Sequence, residues 1–282
     1  YRRIRNTLRY LLGNLAGFND EERVNRKQMP ELEQWILHRL WVIDGEVRRG
    51  YGSYDFHGLF RTLHDFCAND LSAFYFDVRK DCLYCDAVNS LNRRAARSVL
   101  DHLFSYLTAW LAPILCFTAE EAWLNRCNEN ADDRLYDSVH LRLFPDVPED
   151  WRDDELAEKW MKVRLFRRVV LGALEKERAE KRIGSSLEAA PEVYLSDKYK
   201  DVLKGLDAAD LAIVSSIVLR FEPAPDGAFY LSDCDDISVV CKPAVGQKCS
   251  RCWKVLPEVG ASTPELCGRC ANAVNHFKSE LS

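Results

Sequence analysis

The feature that most narrows the fold lies near the end of the chain. Cys249-Ser250-Arg251-Cys252-Trp253 is followed by Cys267-Gly268-Arg269-Cys270, two Cys-x-x-Cys pairs separated by fourteen residues. Each pair sits on one tight turn and can point both sulfurs at one ion. Two pairs supply four tetrahedral ligands, which suits Zn²⁺. No His or carboxylate replaces a cysteine, so no position is left for a catalytic water and a structural ion is expected. Pro257, Gly260 and Pro264 in the joining segment predict a hairpin or ribbon. Two disulfides are the alternative. Against them, the cysteines number eleven, and Cys67, Cys82, Cys85, Cys116, Cys127, Cys234 and Cys241 lie mostly among apolar neighbours. That pattern fits buried thiols in a reducing compartment.

At 282 residues, two or three domains are expected. No run of eighteen apolar residues occurs, so no membrane span is expected. The start, Tyr1-Arg2-Arg3-Ile4-Arg5, is unlike a signal peptide and opens inside a helical pattern, so the chain reads as a piece of a longer protein. The formal net charge is −5, yet charge is uneven. Arg2, Arg3, Arg5 and Arg9 have no acid among residues 1–19, and residues 159–182 hold nine Lys or Arg against three Glu. Residues 128–158 hold eleven Asp or Glu and three Arg. A local basic surface on an acidic body can still bind a polyanion.

Apolar periodicity predicts a helix over 1–17, with Tyr1, Ile4, Leu8, Leu11, Leu12 and Leu15 as its core stripe. Further helices are expected after Pro30, from about Ser53 to Lys80 and from about Ser90 to Leu111. Thr118-Ala119-Glu120-Glu121 reads as a capping box opening another. Residues 128–152 read as a long surface connector, and Asp153 to Lys181 as a long helix. The period then shortens: Glu192–Leu195, Ile213–Phe221 and Ile237–Cys241 read as strands, with a short helix from Asp197 to Leu206. The expected fold is mainly α, an antiparallel helical bundle followed by a small α+β module and a C-terminal zinc ribbon. Its expected domains are 1–150, 151–245 and 246–282.

No credible catalytic constellation emerges. Cys82-Leu83-Tyr84-Cys85 has no second pair, and His64 with Cys67 lacks an orienting group and oxyanion donors. Arg2, Arg5, Asn6 and Arg9 form a band of guanidinium groups and a carboxamide, suited to phosphates and a base edge. The plain alternative is a solvated helix face. Arg164 and Arg168 share a stripe of the long helix. Arg251 and Trp253 could bind and stack on nucleic acid, or Trp253 could anchor the lobe's small core.

These residues carry a family resemblance. Tyr1–Leu15, Asp70–Tyr84, Leu111–Trp123 and Ile183–Ala189 resemble successive segments of isoleucyl-tRNA synthetases, and the terminal cysteine pairs resemble the zinc finger closing their bacterial-type members. Valyl and leucyl relatives share the bundle; this zinc terminus points to isoleucine. The resemblance implies a carboxy-terminal region with a class Ia anticodon-binding bundle. Neither the HIGH nor the KMSKS signature occurs, and Lys181–Ser186 is not the latter. ATP and Mg²⁺ are therefore expected only in a missing catalytic domain, editing is likewise absent, and this chain alone is not expected to activate isoleucine.

The implied partners are tRNA(Ile) and the missing amino-terminal part of the same polypeptide, in a cytoplasmic monomer. The tRNA contacts expected are Arg2, Arg5, Asn6 and Arg9, then Arg164, Arg168, Arg251 and Trp253. The expected zinc ligands are Cys249, Cys252, Cys267 and Cys270. One rival is a DNA-repair glycosylase of the formamidopyrimidine type, which shares such a finger but needs an amino-terminal Pro-Glu. The other is a structural interaction scaffold.

Overall fold

A computed structural model describes residues 1–127 and 138–280. The early part of the acidic connector, residues 128–137, lies outside the described residues. The chain forms two compact units, Tyr1–Asp154 and Glu155–Ser282.

The first unit is a helical bundle. Helix α1 (Arg2–Leu15) buries Ile4, Leu8, Leu11 and Leu15, one stripe at helical spacing. Tyr1 leaves that stripe, being exposed with its hydroxyl on Thr118 Oγ1 at 3.1 Å. Past α1 the chain turns at Gly17 (φ +66°), where Arg97 donates to the Ala16 carbonyl at 2.8 Å. Helix α2 (Glu31–Gly52) starts after Pro30, with Glu31 and Glu33 in its first turn. Helix α5 (Leu91–Leu111) is the central element and is buried almost throughout its second half.

Between α2 and α5 the expected single helix is instead three stretches: α3 (Phe56–Asp65), a π-helix over Phe66–Tyr75, and α4 (Phe76–Cys85). The wider π turn places Asp70 and Tyr75 both towards α2. There Arg39 Nε donates to Asp70 at 3.1 Å, and the Tyr75 hydroxyl donates to Glu33 at 3.1 Å. A register fixed at 3.6 residues per turn would not keep both partners facing inward.

Helix α6 (Cys116–Cys127) begins before the expected capping box, so Thr118 lies inside it and caps nothing. Residues 138–153 hold close to the bundle rather than looping free. Val139 and Trp151 are buried, Arg142 stacks over Trp123, and the Asp153 backbone N–H donates to His38 Nδ1 at 2.9 Å.

The second unit opens with α7 (Asp154–Ala179), burying Trp160, Val163, Phe166, Val170 and Leu174. Strands β1 (Glu192–Leu195), β2 (Val218–Arg220), β3 (Phe229–Leu231) and β4 (Cys234–Val240) form a sheet in the order β2-β1-β4-β3. Strand β1 runs parallel to β2 and antiparallel to β4. Gly172 leaves the space that the Phe229 ring fills against α7: a Cβ there would meet the ring at 3.1 Å. Short helices α8 (Tyr199–Leu203) and α9 (Ala208–Ala212) precede β2. The expected strand over Ile213–Phe221 is thus mostly not a strand. Ile213 closes α9 in the left-handed region (φ +56°), its N–H satisfied by α9 carbonyls. Only 218–220 extend.

The terminal lobe has a hairpin of β5 (Gln247–Lys248) and β6 (Val255–Leu256), then α10 (Gly268–Glu280). It is a ribbon closed by a helix, an element the sequence reading lacked. Gly246 (φ +127°) lets the chain enter the hairpin, since a Cβ there would lie 2.2 Å from the Leu256 carbonyl carbon. The Lys254 ammonium on Asp210 (2.5 Å) and the Val255 N–H on Ser215 Oγ (2.7 Å) tie the lobe to the α+β module.

Candidate metal centre and nucleic-acid interface

The hairpin positions Cys249 and Cys252; the start of α10 positions Cys267 and Cys270. All four are buried, with their sulfurs within 4.8 Å of one another. An ion about 2.3 Å from each of four thiolates spaces them about 3.8 Å apart in a tetrahedron. The Cys252 and Cys267 sulfurs are 3.8 Å apart, a contact far longer than a disulfide. Burial opposes ionisation of Cys249, but the N–H groups of Cys252, Cys267 and Arg251 aimed at its sulfur hold its pKa below the ordinary value. Cys252 and Cys270 are pushed up by burial and by their sulfur neighbours. Such a cluster ionises fully only around a cation, and the donor set fits Zn²⁺ with no ligand position to spare.

Trp253 follows directly. It is 61% exposed, with Lys248 Nζ 5.7 Å from its ring centre, so it is not the lobe's core anchor. Arg251, beside it in sequence, is half-buried.

On the bundle, Arg2, Arg5, Asn6 and Arg9 are all exposed on α1. Among the described residues, Arg2, Asn6 and Arg9 make no ion pair or side-chain hydrogen bond. Arg5 differs: its Nη2 lies 3.8 Å from the Glu121 carboxylate of α6, so the band does have a facing acid. Arg5, Leu8, Arg9 and Leu12 of α1 and Glu121 and Asn125 of α6 line a cleft of about 190 Å³. Neither Glu121 nor Asn125 stood out as a site residue in the sequence. Their i,i+4 spacing puts them on one face of α6, but only the packing of α6 on α1 shows which face.

In the second unit Arg168 is engaged by Asp233 at 2.7 Å and Arg164 is half-buried, so neither is a loose cation. The buried Arg167 donates to the Leu211 carbonyl at 2.8 Å and is structural. The Cys82 and Cys85 side chains are buried at the end of α4, and burial raises the Cys82 thiol. Cys67 is likewise raised by burial, to about 12, and is inert as a nucleophile.

Residues 33–195 match the family described as "Anticodon-binding domain of tRNA ligase", well over half of the chain. The chain belongs to this tRNA-ligase family. Residues 246–273 match a second family, "Zinc finger found in FPG and IleRS". The chain is 50% identical over 282 residues to an isoleucine–tRNA ligase of Brucella abortus, covering 99% of this chain and 28% of that protein. The ligase of Caulobacter vibrioides is 50% identical over 283 residues, and that of Mesorhizobium japonicum 46% over 285, each again with 28% of its length covered. The chain therefore spans about 28% of the length of the curated relatives it matches. The bundle match and this coverage disfavour the glycosylase alternative, which shares only the finger. No helix among the described residues is long and apolar enough to cross a membrane.

Proposed function

We propose that this chain is the tRNA-recognising region of an isoleucine–tRNA ligase. In this reading the bundle meets the anticodon arm of tRNA(Ile) and the zinc lobe supports or extends that grip. The observation that carries it is the α1 band: guanidinium groups of Arg2 and Arg9 and the Asn6 carboxamide, exposed and unpartnered among the described residues, in a family whose domain binds anticodons. Basic side chains without internal partners are free to neutralise phosphates, and a carboxamide can read a base edge. Trp253 adds an exposed ring on which an unpaired base can stack. Zinc holds the lobe's shape. The same reading confines ATP and Mg²⁺ to the catalytic part of the ligase, which acts as a cytoplasmic monomer.

The test is in the whole ligase. Arg9→Ala or Asn6→Ala should weaken tRNA charging and leave isoleucine-dependent pyrophosphate exchange unchanged. Arg2→Ala should also lower the slope of log K against log salt by roughly 0.7–0.9, one released counterion. Unchanged charging and an unchanged slope would refute the reading.

A further inference from the structure

The α1 band is not uniformly built for phosphate. Its central arginine faces a carboxylate, and the space between them is a cleft rather than a flat surface. We infer that the cleft between α1 and α6 holds one unpaired guanine base of the bound RNA, with Glu121 selecting it. This rests on the tRNA-binding reading above.

Three observations carry it. First, the floor is apolar: Leu12, half-buried, shows apolar surface to the cleft beside the fully buried Leu8, so a flat ring gains by covering it. Second, Arg5 and Glu121 stand 3.8 Å apart with 48% and 62% of their side chains exposed. That distance is beyond a hydrogen bond, and an exposed pair of this kind contributes little to stability. Both groups can turn to a ligand at small cost. Third, a carboxylate beside Arg5 and Arg9 repels phosphate, so it disfavours a backbone contact in the cleft itself. It favours a neutral group rich in N–H donors.

Among the four bases, guanine alone places two adjacent N–H donors, N1–H and the N2 amino group, on its Watson–Crick edge. The two oxygens of Glu121 can accept both. The O6 acceptor follows on the same edge, within the chemistry of the Arg5 fork. Adenine and cytosine would set a ring-nitrogen lone pair against the carboxylate, and uracil offers one donor between two carbonyls. Arg9 at the rim can stack on the exposed face of the ring. Asn125 Nδ2 is engaged on the Glu121 carbonyl at 2.7 Å, leaving its Oδ1 as a further acceptor.

The experiment measures binding of the full-length ligase to an anticodon stem-loop RNA in which each loop guanine is replaced in turn by inosine, which lacks only the N2 amino group. One replacement should weaken binding to the wild-type protein by roughly 10- to 150-fold, the range of one hydrogen bond to a charged group. Glu121→Gln should lose a similar factor with the unmodified RNA, and in that variant the same inosine should cost less than twofold. Glu121 is well exposed, and matching far-UV spectra and melting temperature would verify an intact fold. An inosine penalty equal in both proteins at every position would overturn the inference, as would uniformly tighter binding by Glu121→Gln, the signature of a phosphate site. Salt-independent binding by both proteins would instead remove the tRNA-binding reading on which it rests.

Discussion

Glu33→Gln tests what holds the bundle in register. The Glu33 side chain is fully buried, and it accepts from Arg79 Nε and Nη2, both at 2.6 Å, and from the Tyr75 hydroxyl at 3.1 Å. Arg79 is 11% exposed. Burial alone would lower the Arg79 pKa, but the Glu33 charge reverses this and holds it above the ordinary value. The pair ties α2 to α4, with the π segment's last residue as a third member. Removing one charge strands the other without its counterion, which typically costs about 3–5 kcal/mol. Glutamine keeps one oxygen acceptor, so the expected loss is the lower end, about 3 kcal/mol. With a urea m-value of about 2 kcal/mol/M, the bundle's midpoint should fall by about 1.5 M. The double change Glu33→Met with Arg79→Met removes both charges and should recover most of that loss, because a buried ion pair can often be replaced by apolar groups at little net cost. Urea unfolding followed by far-UV circular dichroism reads both. A shift below about 0.3 M for Glu33→Gln, or a double variant as unstable as the summed singles, would refute the reasoning.

Chelating zinc should unfold the lobe from about Gly246, including the thirteen residues of α10, while the bundle keeps its helix content. Far-UV spectra would contradict this by a collapse extending to the bundle. Acid should destabilise the first unit through His102. Burial is the main cause that lowers its pKa to about 4, with Trp151 edge-on at 5.0 Å. Above about pH 6.5 both folded and unfolded His102 are neutral. Between there and pH 4 only the unfolded state takes the proton, so stability falls as pH falls, and below pH 4 this loss levels off. Allowing for the ring's partial exposure, about 2 kcal/mol should be lost across that window. His102→Gln should flatten the melting-temperature profile between pH 4 and 6.5, and an equally steep profile would show that other groups dominate.

Features fixed by local spacing were legible in the sequence. The cysteine pairs needed only the turn geometry of two residues between thiols, and the α1 stripe only its 3.6-residue period. The π segment was not legible. Phe66, Cys67, Ala68, Leu71, Phe74 and Tyr75 are apolar enough to satisfy either period, and the choice is made by Arg39 and Glu33 across the bundle. Thr118 and Glu121 have capping-box spacing, yet both sit inside α6, where three residues apart is also simply one face. The β-branched run after Ile213 was misread because α9 needed a C-terminal closure there. Long-range packing also decided Glu121: α6 turns it towards Arg5, and a basic band that looked uncompensated became a cleft with an acceptor in it.

The zinc site and Trp253 are linked by more than adjacency. Trp253 has φ +66°, a left-handed conformation that costs a non-glycine residue roughly 1–2 kcal/mol. Its N–H donates to the Cys249 carbonyl at 2.9 Å, closing the turn that brings Cys249 and Cys252 to one ion, and Cys249 N–H in turn donates to the Lys254 carbonyl at 2.9 Å. The turn that holds the ligands is thus the turn that forces the ring outward beside Lys248. A tryptophan serving only to fill a small core would face the sulfurs, with no reason to be strained and 61% exposed. A metal held there, closed to chemistry by four thiolates, would act through geometry: it would fix the turn that presents an aromatic face to solvent. Flexible glycine at this position would relax the turn and lose the ring together, so the ligand loop and its exposed aromatic form one element.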